Sequence, residues 1–149
     1  METHEQYATI ETAKLLKRAG FDWQCHAGYQ YGRLTDYQIS QQSDDVLIMD
    51  FNSAPAYMNQ YSAPTLEVAR KWLADVHNFY IEIRVEPDGK GGAEWFPRCY
   101  RKKIWLDEMI EDQWHPQPTP PHGTYEAALE KAIRRCLTIL LQNKNEDNL

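Results

Sequence analysis

The stretch PTLEVARKWLADVHNFYIEIRVE, residues 64–86, carries a helix pattern that is followed at once by a strand pattern. In its first half, apolar residues recur every three or four positions, which is typical of one face of an α-helix. These residues are Leu66, Ala69, Trp72, Leu73 and Val76. Thr65 is a suitable cap before this helix, and His77-Asn78 ends it.

The second half of the stretch predicts a strand that leads into a hairpin. Apolar and polar residues alternate there, which is typical of a strand with one buried face. The buried set is Phe79, Ile81, Ile83 and Val85. Residues 87–92, PDGKGG, have turn chemistry, and the chain then returns over about residues 95–105. Pro97 in the returning segment indicates an edge position or a bulge, because proline has no backbone N–H.

We expect ion pairs across this hairpin, joining basic residues of the second strand to acidic residues of the first. The residues concerned are Arg98, Arg101 and Lys102, and Glu82 and Glu86.

A long helix is predicted after Gly123-Thr124, where the apolar repeat continues for about four turns. Its apolar residues are Tyr125, Ala128, Leu129, Ala132, Ile133, Cys136, Leu137 and Leu140. Residues 143–149 are polar, and we expect them to fray.

A first helix is predicted after Thr9, which is a suitable cap. Its apolar residues are Ile10, Ala13, Leu16 and Ala19, and Lys14, Lys17 and Arg18 lie near its end. Gly20 provides a left-handed stop, and Phe21 is expected to pack back on Leu16.

The other segments give weaker patterns. Residues 23–39 are interpreted as a short hairpin around Gly28 and Gly32. Residues 46–49, VLIM, are typical of either a buried strand or a single helical turn. Residues 115–122 contain four prolines and predict an extended loop.

These patterns predict one α+β domain over residues 1–142, with a frayed polar tail over 143–149. We expect an antiparallel sheet of about three to five strands, with residues 79–86 near its centre and about three helices packed mainly on one face. The helices are expected to bury five large residues, because each would otherwise expose much apolar area to water. They are Trp72, Leu73, Leu129, Ile133 and Leu137.

Composition narrows the class of protein. The chain has 149 residues, a net charge of -6, and no apolar run near the length that spans a bilayer. Its N-terminus is polar, and its three cysteines are widely separated. We therefore expect a soluble cytoplasmic protein with reduced thiols, no membrane contact and no tight, sequence-independent binding of nucleic acid.

Three groups of residues resemble, in the same order, small proteins encoded by phages and prophages of gut bacteria. Residues 13–22, AKLLKRAGFD, are similar to the opening helix of that family. Residues 62–66, 71–73 and 81–83 are similar to its central unit, and residues 124–130, TYEAALE, to its closing helix. The resemblance implies a mobile-element origin and brings no established activity, cofactor or catalytic residue.

The sequence spacing of the candidate residues argues against both a catalytic motif and a metal-binding motif. Cys25-His26 with His115, His122 or Cys99 has the ligand types that zinc prefers, but no paired Cys-x-x-Cys or His-x-x-x-His occurs. A nucleophilic cysteine needs a base beside it, and no family signature surrounds either candidate thiol. The sequence therefore predicts no metal site, no cofactor and no catalytic residue.

The hairpin turn partly matches two sequence motifs, one that binds phosphate and one that binds metal. Asp88 and Glu94 follow the spacing of restriction-type nucleases, but Phe96 stands where that pattern needs lysine. The glycines of residues 88–92 join two strands and do not lead into a helix, as a phosphate-binding loop requires. We interpret this segment as a hairpin turn.

Basic and aromatic residues lie together in the returning strand, and two interpretations stay open. The residues are Arg98, Tyr100, Arg101, Lys102, Lys103 and Trp105, followed by Asp107, Glu108, Glu111 and Asp112. The first set is typical of a single-stranded nucleic-acid platform, whereas the acidic set favours a solvated, salt-paired strand. The proline-rich loop is either a connection or a polyproline ligand for a partner.

The functional hypothesis is a non-enzymatic, phage-type accessory protein that binds a protein partner of the host or phage. The alternatives are a small enzyme with a site built from scattered His, Cys and acidic residues, or a weak binder of single-stranded nucleic acid. Seven residues are candidates for the binding surface. They are Tyr29, Tyr31, Arg98, Tyr100, Arg101, Pro118 and Pro120.

Overall fold

The computed structural model describes residues 6–36, 50–55, 58–102, 107–109 and 123–147. In chain order the elements are α1 (Ile10–Arg18), β1 (Ala27–Gln30), β2 (Arg33–Asp36), a 3-10 helix (Phe51–Ser53), β3 (Gln60–Ser62), α2 (Leu66–His77), β4 (Phe79–Pro87), β5 (Ala93–Lys102), β6 (Asp107–Met109) and α3 (Tyr125–Asp147). The predicted α+β class is confirmed. The segments 46–49 and 115–122 lie outside the described residues.

Helix α1 begins and ends as its sequence predicts. The Thr9 side chain accepts a hydrogen bond from the backbone N–H of Thr12 at 3.4 Å. At the other end, Gly20 has a φ of +94°, and the N–H of Phe21 donates to the carbonyl of Leu16 at 2.9 Å. This is the 6→1 hydrogen bond of a Schellman motif, which brings Phe21 back over the helix.

Helices α2 and α3 bury the predicted apolar stripes. Thr65 caps α2, and Asn78, with a φ of +59°, ends it. All five large residues expected in the core are buried, namely Trp72, Leu73, Leu129, Ile133 and Leu137. The prediction for Val76 is wrong, because the buried stripe of α2 stops at Leu73 and Val76, in the last turn, is 49% exposed.

Helix α3 continues to Asp147, so the helix includes most of the segment predicted to fray. Whether residues 143–149 open in solution stays a prediction. None of the described helices combines the length and the apolar composition needed to cross a bilayer.

The first sheet has the strand order β2-β1-β3 and is antiparallel throughout. Tyr31 and Gly32 join β1 to β2 with φ values of +52° and +82°, which is the conformation of a type I′ turn. The hairpin predicted within residues 23–39 is confirmed. A Cβ atom at Gly28 would lie 2.7 Å from the Phe51 ring, so glycine allows the 3-10 helix to pack on this sheet.

The second sheet has the order β4-β5-β6. Within the described residues, β6 adds to the far side of β5 and β4 lies at an edge, so the prediction that residues 79–86 lie near the centre is wrong. The β6 pairing covers only Tyr100 to Lys102 of β5. Pro97 lies on the part of β5 that β6 does not reach, which agrees with its predicted edge character.

A buried carboxylate joins the end of the chain to its beginning. Oε1 of Glu130, in α3, accepts hydrogen bonds from the N–H of Thr9 at 3.1 Å and from its hydroxyl at 2.7 Å. The hydroxyl of Thr12 donates to the same oxygen at 2.5 Å. Negative charge is favourable at a helix N-terminus, so Glu130 stabilises the start of α1.

We expect Glu130→Ala to lower the free energy of unfolding by about 2–4 kcal/mol, because three donors lose a buried acceptor. Glu130→Gln retains an acceptor oxygen, and its loss is expected to be about half as large. Urea denaturation measures both, with the exposed Glu126→Ala in the same helix as control. A Glu130→Ala protein as stable as the control would contradict this role.

Candidate protein-binding surface

The β4–β5 hairpin has two unlike faces because successive side chains of a strand point to opposite sides. Odd-numbered residues face the helices: Phe79, Ile81 and Cys99 are buried. Even-numbered residues face away from them and are exposed or half-buried. The prediction that Val85 is buried with its odd-numbered neighbours is wrong, since this end of β4 leaves it 49% exposed.

We define the outer face as the even-numbered side chains of this hairpin. They are Tyr80, Glu82, Arg84 and Glu86 of β4, and Glu94, Phe96, Arg98 and Tyr100 of β5. Tyr80 is 44% exposed and lies directly opposite Tyr100. Arg84 lies opposite Phe96, with its guanidinium carbon 5.9 Å from the ring centre. Cross-strand pairs of this kind typically stabilise a sheet by about 0.2–1 kcal/mol each.

Charges on the outer face are mixed in sign. Glu82 lies opposite Arg98, which is one of the predicted cross-hairpin pairings. Glu86 lies opposite Glu94, so the prediction of a basic partner for Glu86 on β5 is wrong. Glu86 instead forms an ion pair with Arg84 of its own strand, at 3.2 Å. With three carboxylates and two guanidinium groups, this face has no surplus of positive charge to attract phosphates.

The turn fixes the end of the hairpin. Oδ1 of Asp88 accepts hydrogen bonds from the N–H groups of Lys90, at 2.7 Å, and Gly92, at 2.9 Å. These two bonds lower the pKa of the Asp88 carboxyl below its usual range. The aspartate that matched a nuclease pattern is therefore a structural residue of the turn.

The seven predicted binding residues do not form one cluster. Arg98 and Tyr100 lie on the outer face, whereas the Arg101 guanidinium lies on the inner side, 5.1 Å from the Phe79 ring centre. Tyr29 and Tyr31 belong to the first sheet, far along the chain from the outer face. Pro118 and Pro120 lie outside the described residues.

The two tyrosines of the first sheet differ in their surroundings. The Tyr29 hydroxyl donates to the carbonyl of Ala8 at 2.8 Å, and burial raises its pKa. Tyr31 occupies the type I′ turn and is 71% exposed. Tyr29 is thus a packing residue, and Tyr31 is a separate exposed position.

Sequence reasoning missed six of the eight outer-face residues, including Tyr80, Arg84 and Phe96. The signal was available in part, because Tyr80 and Arg84 alternate with the predicted buried residues of β4. What the pattern lacked was the register that sets Tyr80 beside Tyr100 and Arg84 beside Phe96.

A second polar cluster joins the N-terminal segment to the first hairpin. The Tyr7 hydroxyl donates to Oδ2 of Asp36, and Nδ1 of His26 lies 3.2 Å from Oδ1 of the same carboxylate. The Tyr7 and His26 rings meet edge to face at 5.8 Å. An aspartate that orients a histidine is also found in catalytic triads, so this cluster bears on the enzyme alternative.

The cluster has no activated nucleophile. The adjacent Cys25 is buried, its thiol donates weakly to the carbonyl of Trp23 at 3.7 Å, and burial, with a smaller contribution from Asp50, raises its pKa to about 12. A cleft of about 110 Å³ beside His26 and Cys25 has room for about three or four water molecules. Small-molecule sites are usually several times larger.

The metal candidates are likewise dispersed. Within the part of the chain that the structure describes, no three His, Cys, Asp or Glu side chains lie close enough to share a metal ion. The three cysteines, Cys25, Cys99 and Cys136, all lie within the described residues, are buried and form no disulfide. His115 and His122 lie outside the described ranges.

We expect the Cys25 thiol to react slowly with a disulfide reagent in the native protein. Raising its pKa from 9.0 to about 12 lowers its thiolate fraction at neutral pH about 1,000-fold. Because the unfolded thiol ionises at lower pH, the stability that this thiol contributes is lost as pH rises between those values.

The measurement is the absorbance change with the reagent at pH 7–8, in native buffer and in denaturant, with Cys25→Ser as control. All three thiols should react at once only in denaturant. A fast native phase that is absent from Cys25→Ser would instead identify an activated nucleophile.

Comparisons with known proteins find no match to this chain among protein-family models, curated proteins or solved structures.

Proposed function

We propose that this protein is a non-enzymatic, phage-related accessory protein that binds a protein of the host or phage through the outer face of its second sheet. The phage relation is supported by the sequence resemblance alone. The lack of a disulfide among the three cysteines supports action in the reducing cytoplasm, where thiols persist.

One observation carries the binding proposal: aromatic and charged side chains, mostly exposed on β4 and half-buried on β5, share a face of the sheet that no described helix covers. Tyr80 and Tyr100 are paired at one end, and Arg84 and Phe96 lie further along. Tyrosine and arginine are the residues that most often anchor protein interfaces. A partner that fits this face presents its own mixture of carboxylates, guanidinium groups and apolar side chains.

The two alternatives have less support. Single-stranded nucleic acid binds aromatic platforms that also carry a positive groove, and the charge on the outer face is mixed. An enzyme needs a reactive group beside the Asp36–His26 pair. The adjacent thiol, Cys25, is buried, and its raised pKa keeps it protonated at neutral pH.

A photo-cross-linking residue at Tyr80, expressed in the natural host, tests the proposal. We expect one discrete protein adduct from this position. The matched control is the same residue at Val76, which is equally exposed but lies on α2. Equal adduct patterns at both positions, or nucleic acid in the Tyr80 adduct, would contradict a protein-binding outer face.

Affinity for the cross-linked partner then measures the contribution of the face. We expect Tyr80→Ala with Tyr100→Ala to weaken binding at least about tenfold, because truncated aromatic anchors lose contact area in the interface. Val76→Ala should leave binding unchanged, and thermal unfolding shows that both proteins are folded. Unchanged affinity of the tyrosine double variant for the partner would contradict the assignment of the outer face as the binding surface.

A further inference from the structure

Strand β4 presents unused backbone groups at the edge of its sheet. In an antiparallel pair, alternate residues direct their N–H and C=O groups either to the partner or away from it. The N–H of Asp88 donates to the carbonyl of Gly92 at 3.1 Å, so even-numbered residues of the hairpin carry the hydrogen bonds. Pro97, which has no N–H to donate, lies opposite Ile83, as this pattern requires.

Odd-numbered residues of β4 therefore direct their backbone groups to the outer edge. Arg70 of α2 closes this edge at one point, since its Nη2 donates to the carbonyl of Ile81 at 2.5 Å. Beyond that point, no strand in the described ranges pairs with Ile83, Val85 or Pro87 on this side. An open edge beside an exposed apolar residue is a surface for pairing with another strand.

We propose that the occupant of this edge is a second copy of the same chain, paired antiparallel with Val85 opposite Val85. Within the paired segment, residues 83–87, charge favours this partner and this register. Arg84 then lies opposite Glu86 of the second copy, and the same pair forms twice because the arrangement is two-fold symmetric. Ile83 lies opposite Pro87, which accepts a hydrogen bond but donates none.

Neighbouring registers are disfavoured by charge, by Arg70 or by the end of β4. A shift that centres the pairing on Glu86 places Glu86 against Glu86 and runs past Pro87, where β4 ends. A shift that centres the pairing on Arg84 places arginine against arginine and Glu82 against Glu86, which is repulsive. A shift that centres it on Ile83 restores opposite charges but needs the edge at Ile81, where Arg70 is already bound.

The paired copies form one six-stranded sheet whose two outer faces are continuous. This inference goes beyond the proposed function, and the experiment that tests it measures only the oligomeric state of the protein. Only about four interchain hydrogen bonds form, so we expect a weak, concentration-dependent dimer with a dissociation constant of about 10 µM to 1 mM.

Sedimentation velocity across that concentration range, with charge-reversed variants, tests both the dimer and its register. Arg84→Glu or Glu86→Arg alone places like charges opposite one another, and we expect dimerisation to weaken about tenfold. The double variant Arg84→Glu with Glu86→Arg restores opposite charges and should dimerise like the original protein. In the register centred on Ile83 the double variant would instead add a carboxylate opposite Glu82, so failure of rescue overturns the proposed register.

Backbone variants test the edge without changing charge. Val85→Pro removes the outward N–H and should abolish dimerisation, whereas Val85→Thr keeps the N–H and a β-branched shape and should preserve it. Thermal unfolding confirms that each variant is folded. A protein that stays monomeric up to about 1 mM, or a Val85→Pro protein that dimerises normally, overturns the proposal.

Discussion

The pairing of β4 with β5 is the constraint on which the rest of this structure depends. Because the two strands pair from Phe79 opposite Arg101 to Pro87 opposite Ala93, the face that each side chain occupies is set for the whole hairpin. One face meets α2 and α3 and completes the core with Phe79, Ile81 and Cys99. The other face is left with tyrosines, arginines and glutamates, so folding itself creates the candidate binding surface.

Local chemistry made much of the fold predictable. Thr9, Gly20 and Thr65 act within a few residues of themselves, and each caps or stops the helix that its position indicates. Sheet order is a different matter, because period-two alternation gives the face of a strand but not its neighbours. The alternation in residues 79–86 therefore does not show that β6 adds beyond β5 and that β4 is an edge strand of the described sheet. The Glu130 carboxylate and Thr9 are 121 residues apart, and no local pattern reports such a contact.

The candidate site was likewise predictable where the signal is local and not where it depends on strand pairing. Arg98 and Tyr100 could be selected from composition, because basic and aromatic residues are dense in that segment. Tyr80 and Phe96 needed the register, and Asp36 needed a hairpin turn that brings β2 beside β1 and His26. Sequence spacing paired His26 with distant thiols and histidines, whereas its partner in the fold is a carboxylate ten residues away. The type I′ turn at Tyr31-Gly32, rather than any motif, creates that contact.

The extent of the open edge is itself controlled by a half-buried polar group, the Arg70 guanidinium. The Arg70 guanidinium is held by the Tyr125 hydroxyl at 3.1 Å and by the Ile81 carbonyl, while that hydroxyl donates to Glu67 at 2.6 Å. Burial and the bond to Glu67 raise the pKa of Tyr125, so the hydroxyl keeps its proton as a donor. This network fixes Arg70 against the first half of β4 and blocks pairing there. Among the described residues, no strand pairs with the second half of β4 on this side, where the Arg84 and Glu86 pattern is complementary to itself in the register centred on Val85.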